Sequence, residues 1–158
     1  YVGGSEEAFV NMMNRRAQEL MANGTHFMNP HGLHDDNHYT TAYDLYLIFN
    51  ECIKHEDFVN IIQSEAYTAY YTDVDGNSQE VLFTPTNLYA QGEVDVPENV
   101  TIVGGKTGTT DEAGYCLILM EKDSSDNPYI SIVMGASEKP VLYEDMTSLI
   151  EAIPSGQQ

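Results

Sequence analysis

The tripeptide Lys106-Thr107-Gly108 combines a positive charge, a hydroxyl group and an unobstructed backbone, a set that could bind a peptide carboxylate. The lysine would supply a fixed cation and the threonine a hydrogen-bond donor, while the glycine would let a peptide lie against a strand edge. The amide of Thr109 could stabilise an oxyanion in the same place. Because a β-branched stretch at residues 100–103 precedes the tripeptide, we expect it at the end of a strand.

Three helical patterns occupy the first part of the chain. Ser5 is suited to cap a first helix that stops at Asn23-Gly24, and Thr41 with Asp44 resembles a capping box for a second. A third, shorter helix is predicted over about residues 56–63. The side chains expected to be buried in the second and third helices are Leu45, Ile48, Phe49, Cys52, Phe58, Ile61 and Ile62.

Strand patterns follow the helices. Residues 66–72 and 79–84 flank the turn sequence Asp73-Val74-Asp75-Gly76-Asn77, which predicts a β-hairpin. A loop at residues 85–97 leads to a meander whose three strands are predicted at about residues 101–106, 114–121 and 129–135. A closing helix is expected beyond Pro140.

This order of elements predicts an α+β fold in which helices cover an antiparallel sheet. We expect a single partial domain over residues 1–158, with a helical part at 1–63 and a hairpin and long loop at 64–99. The meander that carries Lys-Thr-Gly would occupy residues 100–137, and the closing helix residues 140–153. A sheet of three strands has an open edge, which further strands or a second copy of the chain could pair.

The chain carries 25 acidic and 6 basic residues, which give a net charge of −19. This charge repels nucleic-acid phosphates and anionic membrane surfaces, so we expect neither as a partner. No apolar run approaches the roughly 20 residues that span a bilayer. Cys52 and Cys116 lie in apolar patterns and predict buried free thiols. The start at Tyr1 without an initiator methionine is interpreted as a cut in a longer protein.

Three stretches resemble the serine-type D-Ala-D-Ala carboxypeptidases, the low-molecular-weight penicillin-binding proteins. The segment THFMNPHGLHDDNHYTTAYDL at residues 25–45 is similar to the region after the Ser-x-Asn motif of that family, and residues 8–14 resemble the helix before that region. The segment GKTGTTDEAGY at residues 105–115 is similar to the third motif of the family and to the strand after it. The similarity extends roughly over residues 3–152.

The resemblance implies a β-lactamase/transpeptidase-like fold, incomplete at its N-terminus, and a hydrolase that trims the terminal D-Ala of peptidoglycan stem peptides through an acyl-enzyme. Lys106 and Thr107 would belong to the catalytic site and bind the terminal carboxylate. Gly108 would keep the strand edge open, and Thr109 would provide an oxyanion amide. The resemblance also implies β-lactam binding, no metal or organic cofactor, and a location outside the cytoplasmic membrane of a bacterium.

The nucleophile of that family is missing from the printed sequence. No serine is followed three residues later by lysine, so the 158 residues contain no Ser-x-x-Lys motif. Ser125-Asp126-Asn127 has the residue types of a Ser-x-Asn motif, but it follows Lys-Thr-Gly, whereas the family motif precedes it. We therefore interpret these residues as a turn. We expect the missing motifs upstream of Tyr1, and we expect this C-terminal part of a catalytic domain to be inactive alone.

Two other functions stay open on the sequence. A nucleophile-free module would bind peptidoglycan stems or a partner protein reversibly, without a covalent β-lactam adduct. A zinc peptidase would use His31, His34 and His38, whose spacings fit metal ligation, although the neighbouring glycine and asparagines favour a loop ordered by hydrogen bonds. A class A β-lactamase is disfavoured because residues 27–45 look carboxypeptidase-like.

Overall fold

The computed structural model describes residues 1–154. Helices come first along the chain, antiparallel strands follow, and a helix closes the fold, which confirms the predicted α+β class. The helices are α1 (Glu6–Glu19), α2 (Ala42–Cys52), α3 (Glu56–Ile62), α4 (Leu88–Gln91) and α5 (Lys139–Glu151). The strands are β1 (Tyr67–Thr72), β2 (Ser78–Phe83), β3 (Val100–Thr110), β4 (Gly114–Asp123) and β5 (Pro128–Ala136).

The two predicted helix caps are present. The Ser5 hydroxyl accepts a hydrogen bond from the Ala8 amide at 3.1 Å, and the Thr41 hydroxyl accepts one from the Asp44 amide at 3.1 Å. Each bond satisfies an amide in the first turn that has no partner inside its helix. The Asp44 carboxylate does not complete a capping box, because it accepts a hydrogen bond from the Thr25 hydroxyl at 2.7 Å. That bond joins α2 to the loop after α1.

The strands form two separate antiparallel sheets. β1 and β2 make a two-stranded hairpin, while β3, β4 and β5 make a three-stranded sheet in that order. β3 is longer than predicted and continues to Thr110, since Thr109 and Thr110 still pair with Tyr115 and Gly114. Lys-Thr-Gly therefore lies inside the second half of a strand and not at its end.

The β1–β2 and β4–β5 connections use the same turn. In each, an aspartate accepts hydrogen bonds from the amides two and four residues later: Asp73 in the first turn and Asp123 in the second. The residue before the closing asparagine has a positive φ, 84° at Gly76 and 63° at Asp126. This geometry confirms that Ser125-Asp126-Asn127 is turn sequence.

The core lies between α5 and one face of the three-stranded sheet. Its fully buried apolar side chains are Leu117 and Leu119 of β4 and Met146 and Ile150 of α5. Glu121 continues the same face of β4, because side chains two residues apart share a face, and it is buried with them. The best-packed part of the molecule therefore supports the strand that carries Lys-Thr-Gly.

The helical part is less buried than its apolar pattern predicted. Of the predicted stripe on α2 only Phe49 is buried, and its ring packs edge-on against Phe58 at 5.6 Å. The prediction for Ile61 was wrong, since its side chain is 72% exposed. Helical spacing identifies an apolar face, but it does not show how much of that face a second element covers, and Ile61 stays uncovered.

Three smaller predictions have clear outcomes. The loop predicted at 85–97 contains the short helix α4. Cys52 and Cys116 are free thiols as predicted, but the prediction that they are buried was wrong, since each is partly exposed. In the part of the chain that the structure describes, no helix is both long enough and apolar enough to cross a bilayer.

Candidate active site on strand β3

Strand β3 presents the Lys-Thr-Gly side chains on both of its faces. Thr107 pairs with Leu117 and shares its face, which is the face that packs against α5. Lys106 pairs with Ile118 and shares the opposite face with Gly104. Among residues 1–154, β3 has a paired neighbour only in β4, so its other edge is available to a ligand backbone.

The three glycines near the site have different roles. A Cβ atom on Gly104 would lie 2.2 Å from the Ile62 carbonyl oxygen, and one on Gly105 would lie 2.2 Å from the Ile118 carbonyl oxygen. Both positions are therefore closed to any other residue without backbone movement. A Cβ atom on Gly108 would meet nothing within 4 Å. Gly104 and Gly105 allow close packing, whereas Gly108 leaves free space.

A cavity of about 650 Å³ lies beside the tripeptide. Residues 105–107 of β3 form one wall, the end of α3 another, and Tyr67 and Phe83 of the hairpin a third. The segment 84–87 closes the cavity between the hairpin and α4. Most of the lining is apolar, and its polar side chains are those of Ser64, Asn87, Lys106 and the threonines.

The polar contacts of the tripeptide are few. The Lys106 ammonium donates to the carbonyl oxygen of Thr107, and the hydroxyls of Thr86 and Thr107 lie 2.5 Å apart. The salt bridges found among residues 1–154 do not include Lys106. Its charge is exposed and available to an anion.

From the sequence we expect the Thr86-Asn87 pair to have a structural hydrogen-bonding role near the cleft and no catalytic role. The partner of the Thr86 hydroxyl stands 21 residues later in the chain, and no local pattern links the two positions. The segment around it is firmly held. Gln91 donates to the Pro85 carbonyl oxygen at 2.7 Å, and the Leu88 amide donates to the Tyr143 hydroxyl of α5 at 2.9 Å.

Ser64 lines the same cavity as Lys106 and Thr107. Its hydroxyl donates to the Asn60 carbonyl oxygen at 2.6 Å. A nucleophilic serine needs a base that accepts its proton, and a backbone carbonyl cannot serve as one. Ser64 therefore lacks the arrangement of an activated nucleophile.

The histidine loop uses its rings for local hydrogen bonds. The Nδ1 atoms of His31 and His38 accept from the amides of Leu33 and Met28, each at 3.2 Å. Burial lowers the pKa of His38 below its ordinary value. Across residues 1–154, no group of three or more histidine, cysteine or acidic side chains is placed to hold a metal ion, so the zinc hypothesis has no ligand set there.

Comparisons with known proteins identify relatives of this chain. D-alanyl-D-alanine carboxypeptidase DacF of Bacillus subtilis is 31% identical over 153 residues, which cover 96% of this chain and 36% of the relative. DacC of Escherichia coli is 28% identical over 150 residues, which cover 95% of this chain and 34% of the relative. The crystal structure of the Streptomyces K15 DD-transpeptidase matches with a TM-score of 0.80 and 25% identity, over 92% of this chain and 53% of that chain.

The antiparallel sheet with its flanking helices is thus the fold of the DD-peptidases and DD-transpeptidases. The family model of peptidase S11, D-alanyl-D-alanine carboxypeptidase, matches residues 1–138, and the chain belongs to this family. It spans about a third of the length of the two curated relatives and about half of the crystallised transpeptidase.

Proposed function

We propose that this chain supplies the carboxylate-binding strand of a serine-type D-Ala-D-Ala carboxypeptidase, which removes the terminal D-Ala of peptidoglycan stem peptides through an acyl-enzyme. The proposal rests on one observation. In a member of the peptidase S11 family, Lys-Thr-Gly lies on an edge strand that walls a cavity of about 650 Å³. A strand edge binds an extended peptide through main-chain hydrogen bonds, and the cavity beside it can hold the rest of the substrate.

Four residues take the roles expected from the resemblance. Lys106 attracts the terminal carboxylate of the substrate, and the Thr107 hydroxyl donates a hydrogen bond to it. Gly108 leaves room for the peptide backbone, in line with the free space around its Cα. Thr109 contributes its amide to stabilise the oxyanion that forms during acylation. Because the chain carries a net charge of −19, Lys106 has to offset a repulsive background for any anionic substrate.

The nucleophile comes from outside the 158 printed residues. No Ser-x-x-Lys occurs among them, and the Ser64 hydroxyl is bonded to a carbonyl oxygen. We therefore propose that residues 1–158 act as part of a catalytic domain and form no acyl-enzyme on their own. The second candidate is a nucleophile-free module that binds stem peptides reversibly. The absence of a Ser-x-x-Lys motif from residues 1–158 supports this candidate as well.

The substrate and the relatives suggest where the protein works. Peptidoglycan stem peptides occur in the bacterial cell wall, so we propose an extracytoplasmic location. β-Lactams would occupy the same site through their carboxylate in the complete enzyme. The unpaired edge of β3 could also pair with a second copy of the chain, although such pairing would compete with the substrate for the edge.

An NMR titration tests the binding role directly. The ligand is Nα,Nε-diacetyl-L-Lys-D-Ala-D-Ala, and the matched control is the same peptide with a C-terminal amide in place of the carboxylate. We expect amide shifts at residues 104–109, with binding about ten-fold weaker for the amide peptide because it lacks the charge. Equal affinity for the two peptides, or shifts confined to other elements, would refute the assignment.

A further inference from the structure

The hydroxyl of Thr107 has a single hydrogen-bond partner among residues 1–154, the hydroxyl of Thr86. The two oxygens lie 2.5 Å apart, and either of them can donate. A hydroxyl has one proton to donate and two lone pairs that accept. The direction of this bond therefore decides whether the Thr107 proton is free for a ligand or is already used within the protein.

Thr86 stands on a segment whose position is fixed by its neighbours. Pro85 is held by the Gln91 side chain, and the buried Asn87 side chain accepts from the Tyr89 amide at 3.1 Å. The Tyr89 hydroxyl in turn lies 2.7 Å from the Thr147 hydroxyl of α5. The residues on both sides of Thr86 are thus held in place, and through Tyr89 the segment is joined to α5.

A bound carboxylate would select one direction of the bond. The carboxylate can only accept, so Thr107 must donate its proton to the ligand and cannot also donate it to Thr86. Thr86 must then donate to Thr107, which strengthens Thr107 as a donor because hydrogen bonds in a chain polarise one another. The opposite direction would turn lone pairs of Thr107 towards the carboxylate and repel it.

We propose that Thr86 is a positioning residue that orients the Thr107 hydroxyl towards the substrate carboxylate. This inference rests on the proposed function, because it needs the carboxylate to bind at Thr107. Thr86 does not touch the substrate in this role. It fixes the rotamer of Thr107 and supplies the donor that leaves the Thr107 proton free.

Two variants separate this role from simple packing. Thr86→Val keeps the shape of the side chain but removes the hydroxyl, whereas Thr86→Ser keeps the hydroxyl and removes a methyl group. The test measures affinity for the diacetyl-Lys-D-Ala-D-Ala carboxylate and for its C-terminal amide by NMR titration. Three-bond couplings to the Thr107 methyl carbon report its side-chain rotamer in the same samples.

We expect Thr86→Val to weaken binding of the carboxylate peptide about five-fold, the usual effect of one lost hydrogen bond, and to leave the amide peptide nearly unchanged. Thr86→Val should populate more than one Thr107 rotamer, which averages the three-bond couplings. Thr86→Ser should restore both the affinity for the carboxylate peptide and the single Thr107 rotamer. Equal affinity in Thr86→Val, or equal weakening for both peptides, would overturn the inference alone. Absence of carboxylate binding by the unmodified chain would overturn the proposed function, and the recognition role of Thr86 with it.

Discussion

Replacement of Glu121 by glutamine is expected to remove a large pH dependence from the stability of this protein. The Glu121 side chain is 0% exposed in the centre of β4, between Ile102 of β3 and Tyr129 of β5. Neither of its oxygens has a hydrogen-bond partner with good geometry in the part of the chain described. Burial raises its pKa to about 7, although the nearby Ser131 partly opposes the rise.

The sign of the effect follows from the raised pKa. The unfolded chain releases the Glu121 proton near its ordinary pKa of 4.5, whereas the folded chain retains it up to about pH 7. Protonated Glu121 therefore makes its full contribution to the free energy of unfolding below pH 4.5, and this contribution is lost as the pH rises to 7. At about 1.4 kcal/mol per pH unit, the loss is on the order of 3 kcal/mol.

Urea denaturation between pH 4 and pH 8.5 measures this loss. The difference in unfolding free energy between the unmodified chain and Glu121→Gln should change by about 3 kcal/mol over that range, in favour of the glutamine variant at high pH. Glu121→Leu should show the same trend without a buried amide, and Glu80→Gln on the exposed hairpin serves as the control. Parallel pH profiles for the unmodified chain and both Glu121 variants would refute the argument.

Three further outcomes are expected. Lys106→Met should leave the unfolding free energy within about 0.5 kcal/mol, because the side chain is exposed. In an NMR titration it should weaken binding of the carboxylate peptide about ten-fold or more. Undiminished binding would contradict the role of Lys106. Gly104→Ala should destabilise the fold by about 1–3 kcal/mol in urea denaturation, because its Cβ atom would clash with Ile62. Gly108→Ala should leave stability nearly unchanged and reduce peptide binding. Equal stability of the two variants would count against the packing argument. Asp126→Gly should raise stability by about 0.5–1 kcal/mol because φ is positive there, as at Gly76 in the equivalent turn, and a loss of stability would contradict this.

Local features of this fold were predictable from the sequence. The caps at Ser5 and Thr41 act within three residues of chain. The β1–β2 turn is likewise local, because it combines a positive φ at Gly76 with hydrogen bonds from the Asp75 and Asn77 amides to the Asp73 side chain. The Lys-Thr-Gly strand was also predicted, although not its extension to Thr110. That extension depends on pairing with β4, which a pattern within one strand does not report.

Features that depend on distant partners were missed. Ile61 lies on an apolar helix face, but burial requires a second element, and none among residues 1–154 covers it. The bond between Thr86 and Thr107 joins segments that only the folded chain brings together. Glu121 did leave a signal, because it shares a strand face with Leu117 and Leu119, and alternation alone places it inside.

The central claim is that this chain carries the Lys-Thr-Gly part of an acylating serine enzyme whose nucleophile lies outside residues 1–158. Labelling with a fluorescent penicillin, followed by denaturing electrophoresis, tests it most directly. The samples are this chain and a form extended upstream to include any Ser-x-x-Lys segment of its gene, with that serine replaced by alanine as the control. We predict label on the extended form alone; label on neither form, or on the short chain, would contradict the claim.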